Sequence, residues 1–194
     1  MSLTFHADGG TVLTAGGYDN YDGVFRVTIP IREVGPSVNF ILAHPVPSTG
    51  DRGDKDTVRC CELATRWGVA RVVITFINPH RVRLHQDLAK FPPAAYHRKP
   101  HLDILRGEAQ QVRYVTPKTI VVAAWGEGGR MHGAADSFLR WMAGGGSYSA
   151  RPFLRPYPLH ALGYTPGGDP LPVLDAASDV APQEFDLTLY RPVR

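Results

Sequence analysis

The sequence predicts a single α/β domain in which helices cover both faces of a central, mainly parallel sheet, giving three layers. Three almost wholly apolar runs of strand length carry this prediction, at residues 38–43, 71–76 and 119–124. Strands that are buried on both faces have such continuous apolar sequences. Segments with helical patterning separate the runs, and strands that alternate with helices form right-handed crossovers in a parallel sheet. The length of 194 residues suits one domain.

Further elements divide the chain into an α/β core, residues 24–174, and a Pro-rich tail, residues 175–194. Strands are expected at residues 24–29 and 159–163, on either side of the three buried runs. The tail finishes with an alternating segment, residues 185–190, which predicts an edge strand. Helices are expected at residues 57–67 (after the N-cap Asp56), 85–91, 100–112 and 131–142.

The composition indicates a protein of the reducing cytoplasm. The chain has no uninterrupted apolar run near the roughly 18 residues that a membrane span needs, so no membrane partner is expected. The two cysteines, Cys60 and Cys61, are adjacent, which disfavours a disulfide, and no signal-peptide pattern is present. The histidines lack metal-ligand spacing, so neither a metal nor another cofactor is expected. The oligomeric state stays open.

The charge is unevenly distributed. The net charge is +3, yet residues 59–113 contain ten Lys and Arg against four acidic residues, which makes that segment +6 and the rest of the chain −3. A basic middle segment can meet phosphate or nucleic acid. It can equally be a solvated surface, and the sequence leaves both interpretations open.

Polar residues gather where the three buried strands are predicted to end. His44 follows the first strand, Asn78, His80 and Arg81 follow the second, and Trp125-Gly126-Glu127 ends the third. In open parallel sheets, ligands bind beyond the carboxyl ends of the strands. The sequence therefore predicts a binding site at this edge of the sheet.

Five segments, taken in order, carry a family resemblance: residues 54–61, residues 67–68, Arg81, residues 121–126 and residues 162–170. Their order and spacing resemble the family called domain of unknown function 1643, over residues 38–174. The resemblance implies a relation to bacterial and phage proteins whose reaction is not settled.

A second resemblance concerns the ends of the strands. A polar loop after the first core strand, the Trp125-Gly126 strand end and a late motif after the last strand are similar to the uracil-DNA glycosylase superfamily. This implies a uracil-DNA-glycosylase-like fold and a site for a nucleotide, a nucleoside or a nucleic-acid base. It is an analogy of fold, which by itself does not establish a reaction.

The chain departs from the first family at three polar positions. It reads His44-Pro45-Val46-Pro47 where members have Asn-Pro-Ser-Thr, and Phe76 where members place an asparagine. Residues 170–174 lack the late histidine of the family. The chain is therefore either a divergent member with altered chemistry or one that keeps the scaffold without the activity.

The second resemblance, to the uracil-DNA glycosylase superfamily, implies hydrolytic N-glycosidic chemistry. Three residues are candidate catalytic groups for it. Asp54, or else Asp51, would position a water molecule or steady an oxocarbenium-like centre. His44 would act as an acid–base group near neutral pH. Helix capping by the aspartates and a structural imidazole are the competing interpretations.

Four further residues are candidate substrate contacts. Arg59 and Arg81 suit phosphate recognition, although either could form a buried ion pair with Asp54 or Glu127. Asn78 and His80 could read a base edge or hydroxyl groups, although an Asn-Pro turn explains Asn78 equally well.

The remaining candidates lie after later strands. Trp125 could stack on a base, or it could be a core residue. Gly126 begins a glycine-rich turn that could approach phosphate, and Thr165 lies in the late motif.

Two other functions remain possible. The first is a non-catalytic module that binds a nucleotide or nucleic acid through the basic middle segment. The second is a protein-interaction role for the Pro-rich tail and its edge strand.

Overall fold

The computed structural model describes residues 26–45, 55–78, 85–90, 120–142, 159–186 and 188–190. The strands are β1 (Arg26–Pro30), β2 (Ser37–Leu42), β3 (Arg71–Phe76), β4 (Ile120–Ala124), β5 (Leu159–Ala161) and β6 (Gln183–Glu184). The α-helices are α1 (Lys55–Arg66) and α2 (Ala134–Met142), and His85–Lys90 and Gly126–Gly133 are 3₁₀-helical.

The described strands form one six-stranded mixed sheet in the order β1-β3-β2-β4-β5-β6. The four middle strands are parallel, with Val38 of β2 opposite Val72 of β3 and Ile120 of β4. Both edge strands, β1 and β6, pair antiparallel to their neighbours. The predicted α/β class and parallel centre are confirmed, and the antiparallel edges make the sheet mixed.

Both faces of the sheet are covered, because successive side chains of a strand point to opposite faces. Val38, Phe40 and Leu42 of β2 belong to the core cluster that α1 covers with Cys60, Leu63 and Ala64. The other face of β2 and β4 packs against α2; its cluster contains Ile41, Val121, Ala123, Ala135, Phe138 and Leu139. The two clusters account for the apolar runs that predicted the strands.

Helix α1 follows from its sequence. Cys60, Leu63 and Ala64 recur at helical spacing and are buried, and Asp56 lies in the first turn, where the helix dipole favours negative charge. The predicted helix at residues 57–67 is thus correct in kind. It begins two residues earlier, so that Asp56 is inside the helix and not its N-cap.

Other elements also differ from the sequence prediction. The helix expected at residues 131–142 begins at Ala134, because Met131 (ψ 127°) and His132 (φ 53°) leave the helical conformation. The prediction of an edge strand at residues 185–190 is wrong, since the edge strand of the structure is β6, which ends at Glu184. A turn follows it, because the Asp186 carboxylate accepts hydrogen bonds from the backbone N–H and the hydroxyl of Thr188. The helix expected at residues 100–112 lies outside the described residues.

None of the helices in the described part of the chain combines the length and the apolar character needed to cross a membrane.

Trp125 is the largest fully buried side chain among the described residues, with 1% of its surface exposed. Its ring lies 6.0 Å from Phe138 and 6.2 Å from Phe185, measured between ring centroids. The indole also packs directly on the backbone of Gly129, where a Cβ atom would lie 2.1 Å from Trp125 Cδ1. Glycine at position 129 is therefore required by the packing of the indole.

We expect Gly129→Ala to lower the free energy of unfolding by about 2 kcal/mol, because the added methyl overpacks a buried ring. The matched control is Gly167→Ala, whose Cβ would meet Asp169 Oδ2 at an ordinary 3.4 Å. That variant should stay within about 0.5 kcal/mol of the wild type in urea denaturation. Equal stability of the two variants would contradict the packing argument.

Candidate functional site

The sheet contains a topological switch point between β2 and β4. From β2 the chain passes through α1 to β3 on one side, whereas β4 lies on the other side of β2. Neighbouring strands whose connections leave in opposite directions open a crevice at their carboxyl ends. A cleft of about 350 Å³ lies at these two strand ends.

Three parts of the chain form the cleft. The ends of β2 and β4, the first turn of α1, and the segment after β5 each contribute to its wall. The lining residues are Leu42, Ala43, His44, Asp56, Ala124, Trp125, Gly126, Glu127, Gly128, Thr165, Pro172 and Asp175.

The cleft is acidic. Asp56, Glu127 and Asp175 come from three separate elements, and His44 is the remaining ionisable side chain of the lining. Among the described residues, no lysine or arginine lines the cleft. Two like unit charges about 6 Å apart repel each other by about 3 kcal/mol at an effective dielectric constant of about 20. The described part of the cleft wall therefore has negative charge, which attracts positive charge and repels an anion.

His44 lies where the sequence placed it, directly after β2 and in the cleft wall. It is partly buried, and its Nδ1 lies 3.4 Å from the carbonyl oxygen of Pro45. The structure thus brings His44 together with Glu127 and Asp175 at one site. Its acid–base role stays a prediction.

Asn78 ties two cleft walls together. Its side-chain Nδ2 donates to the carbonyl of Ala43 and to that of Gly128, both at 3.1 Å, and its backbone N–H donates to Ala43 at 2.9 Å. Asn78 is fully buried. Both amide protons are engaged, and they link the end of β2 to the turn after β4; the substrate contact of Asn78 stays a prediction.

Arg59 is not among the residues that line the cleft. Its Nη2 donates to the carbonyl of Ala176 at 2.7 Å, its Nε to that of Val173 at 3.4 Å, and its Nη1 pairs with Glu62 at 2.9 Å. The guanidinium is occupied by main-chain carbonyls and a carboxylate. The phosphate contact of Arg59 stays a prediction, and these donors of Arg59 are used within the protein.

Trp125 and Gly126 are structural parts of the cleft wall. Trp125 is buried among aromatic rings and offers no free face, which corrects the predicted stacking role. Gly126 has φ 55°, and a Cβ there would lie 2.6 Å from Pro172 Cγ. Its N–H donates to the carbonyl of Pro170 at 2.9 Å. Gly126 therefore fixes the segment after β5 against the end of β4, and its approach to phosphate stays a prediction.

Thr165 does lie in the cleft wall. A tight loop holds it, in which the backbone N–H of Thr165 donates to the Asp169 carbonyl at 2.8 Å. The backbone N–H of Asp169 donates back to the Thr165 hydroxyl at 3.2 Å. The other four candidates lie outside the described residues: Asp51, Asp54, His80 and Arg81.

The sequence did not reveal an ion pair between Arg130 and Asp169. Arg130 Nε donates to both carboxylate oxygens, at 2.6 and 2.8 Å, and its Nη2 donates to the Gly167 carbonyl at 2.7 Å. Asp169 is 1% exposed. Burial raises the pKa of Asp169 while Arg130 acts to lower it, and the hydrogen bond to Asp169 raises the pKa of Arg130. This pair holds the Thr165 loop against the 3₁₀ segment after β4.

Arg130 of this pair also contacts Tyr190, the last residue that the structure describes. Arg130 lies over the ring of Tyr190 at 5.7 Å, and the Tyr190 hydroxyl donates to Asp136 Oδ1 at 2.9 Å. Burial is the main cause that raises the pKa of Tyr190, and its bond to Asp136 adds to the effect.

Asp56 and Asp175 were missed as cleft residues, and Glu127 was placed at the predicted binding edge without a role. Glu127 had a signal, because it directly follows the strand end Trp125-Gly126. Asp56 was interpreted as an N-cap, and Asp175 as part of the tail. In the described part of the chain, no three His, Cys, Asp or Glu side chains are grouped so as to hold a metal ion.

Comparisons with protein-family models, with curated proteins and with solved structures gave no match to this chain.

We expect Arg130→Met to lower the free energy of unfolding by about 3 kcal/mol at neutral pH, because it leaves a buried carboxylate without its partner. Without Arg130, burial alone acts on Asp169 and raises its folded-state pKa further above the ordinary 3.8. The folded state then binds the proton more tightly than the unfolded state. The stability lost by the variant should therefore return as the pH falls toward 4.

Urea denaturation between about pH 4 and pH 7 measures this effect. The matched control is Arg140→Met, on an exposed position of α2, which should change stability by less than about 0.5 kcal/mol. A loss at Arg130→Met that does not vary with pH would show that Asp169 is not the group left unpaired.

Proposed function

We propose that this chain is a hydrolase that cleaves the N-glycosidic bond of a nucleotide, a nucleoside or a base in nucleic acid. One observation carries the proposal: the cleft at the switch point is lined by three carboxylates and His44. N-glycosidic hydrolysis passes through an oxocarbenium-like centre on the sugar, and carboxylates stabilise such positive charge. A cleft of about 350 Å³ also falls in the size range of small-ligand sites.

We further propose that the architecture is that of a uracil-DNA-glycosylase-like domain and that the chain is a divergent member of the family called domain of unknown function 1643. The three regions that carry the second resemblance follow β2, β4 and β5. In the structure they meet at one cleft, through His44, Trp125-Gly126 and Thr165. Their convergence supports a shared site, and the sheet order supports a cleft at its switch point.

The proposed reaction uses water as the nucleophile. A carboxylate orients the water and accepts its proton as the oxygen bonds to the sugar C1′ carbon. The C1′–N bond breaks, and its electron pair leaves with the base. Protonated His44 supplies a proton to the departing base. The products are the free base and the sugar with a C1′ hydroxyl.

Glu127 is the carboxylate that we assign to the water. It directly follows the end of β4 and its side chain is exposed to the cleft, next to Gly126 and Gly128, whose backbone is buried. Asp56 and Asp175 contribute negative charge from the other walls. The roles of Asp54 and Asp51 stay predictions, as do those of His80 and Arg81.

The charge of the cleft bears on the class of substrate. Three carboxylates repel a phosphate group, and Arg59, which was expected to bind one, donates to main-chain carbonyls instead. We therefore propose that the cleft takes the base and sugar and that any phosphate lies outside it. The alternative, a nucleic-acid-binding module, depends on the basic residues of the middle segment. Arg59 is one of these residues, and its donors are engaged within the protein.

The test is an assay of base release with nucleosides, their 5′-monophosphates and uracil-containing oligonucleotides, analysed by chromatography. We expect kcat/KM to be about tenfold higher for a nucleoside than for its monophosphate, as the repulsion in the cleft requires. Glu127→Gln should lower kcat about a hundredfold, since it removes the proton acceptor. The matched control, Glu184→Gln on β6, lies outside the cleft lining and should retain full activity.

Two results would decide against the proposal. If no substrate loses its base and none raises the melting temperature, the cleft does not serve this class of ligand. If a ligand raises the melting temperature without turnover, in wild type and Glu127→Gln alike, the binding-module alternative is correct.

A further inference from the structure

Residues 173–180, at the junction of the α/β core and the tail, lie along α1; we call this segment the strap. Its main-chain carbonyls accept hydrogen bonds from side chains at both ends of the helix. Arg66 Nη1 donates to Ser178 at 3.0 Å, and the indole N–H of Trp67, just after the helix, donates to Val180 at 2.9 Å. Arg59 makes the corresponding contacts at the end of the strap nearest the cleft.

The contacts of Arg59 bracket a cleft carboxylate. Its two acceptors in the strap are the carbonyls of Val173 and Ala176, and Asp175, which lines the cleft, lies between them. The backbone N–H of Asp175 closes a turn by donating to Pro172 at 3.1 Å, and Pro172 also lines the cleft. Arg59 thus holds both ends of the short segment that brings Asp175 to the cleft.

The hydrogen bonds from Arg59 to the strap are better shielded from water than the hydrogen bond from Arg66. The Arg59 side chain is 16% exposed, whereas the bond from Arg66 to the strap is exposed to solvent. Hydrogen bonds from a charged donor contribute more when they are shielded from water. The guanidinium fork also reaches two carbonyls at once, which a lysine ammonium cannot do in the same fixed geometry.

We infer that Arg59 is a positioning residue that holds the Asp175 carboxylate in the cleft wall. This inference rests on the proposed function, because the place of that carboxylate matters to turnover only if the cleft carries out the hydrolysis. Arg59 does not touch the cleft. It acts through the main chain on either side of Asp175.

The main-chain contact predicts which substitutions are tolerated. Arg59→Gln removes the charge and the fork, so the turn at residues 172–175 loses its attachment to α1. Arg59→Lys keeps a charged donor and can hold one carbonyl, most readily that of Ala176, which forms the shorter bond at 2.7 Å. Arg66→Gln is the matched control, because it removes the same kind of contact from the same strap, but farther along the chain from Asp175.

The first measurement is hydrogen exchange at the Asp175 amide, which does not depend on any activity. We expect exchange at least about tenfold faster in Arg59→Gln than in the wild type, and within about twofold of the wild type in Arg66→Gln. Circular dichroism and the melting temperature would show that each variant is folded. Unchanged exchange in a folded Arg59→Gln would overturn the inference.

The second measurement is nucleoside hydrolysis. Asp175→Asn and Arg59→Gln should each lower kcat/KM about tenfold, and the double variant should be no slower than Asp175→Asn alone, because both changes remove the same group from its place. Arg59→Lys should recover most of the loss, and Arg66→Gln should be fully active. Additive losses in the double variant would overturn the inference.

The two measurements separate the inference from the proposed function. If the wild type cleaves no nucleoside while the Asp175 amide behaves as expected, the proposed function is wrong and the attachment by Arg59 is correct. If the wild type is active and Arg59→Gln changes neither exchange nor kcat/KM, the proposed function is correct and the attachment by Arg59 is wrong.

Discussion

The position of β2 between two parallel neighbours is the constraint on which the rest of the site depends. Because Val38 is aligned with both Val72 and Ile120, the chain must leave β2 toward one side and return later on the other. The strand ends then separate, and the space between them cannot be filled by either connection. Asn78 and Gly126 fix the two sides of that space, one by hydrogen bonds from its amide and one by close contact with Pro172.

Three of the described arginines contact segments that are distant from them in the sequence. Within the described residues, Arg59 and Arg66 of the basic segment donate to main-chain carbonyls of the strap, and Arg130 neutralises a buried carboxylate. A donor used in this way is no longer available to a ligand. The cleft therefore has an acidic wall although the chain as a whole has a net charge of +3.

The sequence predicted the central strands well because burial on both faces leaves a local mark, a continuous apolar run. It also predicted the edge of the sheet at which His44 and Thr165 lie, since strand ends follow from strand assignments. It could not predict the start of α2. The interruption at His132 is a positive φ in a non-glycine residue, which has no reliable local signature.

The sequence also could not predict which groups the arginines contact. The residues that Arg59 contacts in the strap lie 114 and 117 positions away along the chain. Spacing patterns report on neighbours within a helix or a strand, and a contact between distant segments leaves no such pattern. A phosphate contact was a reasonable expectation for an arginine near the start of a helix, and the sequence contains no sign that the strap would take up its donors.

The attachment of the strap through its carbonyls has a consequence for how this protein can change. Every peptide unit has a carbonyl, so these hydrogen bonds do not depend on the exposed side chains of the strap, while Val173 and Ala176 pack into the core beside α1. Leu174, Ala177, Ser178 and Asp179 are exposed and make no demand on the core. Of these four residues, Leu174 adjoins Asp175 of the cleft lining, so a substitution at Leu174 can alter the cleft while the buried residues of the strap stay the same.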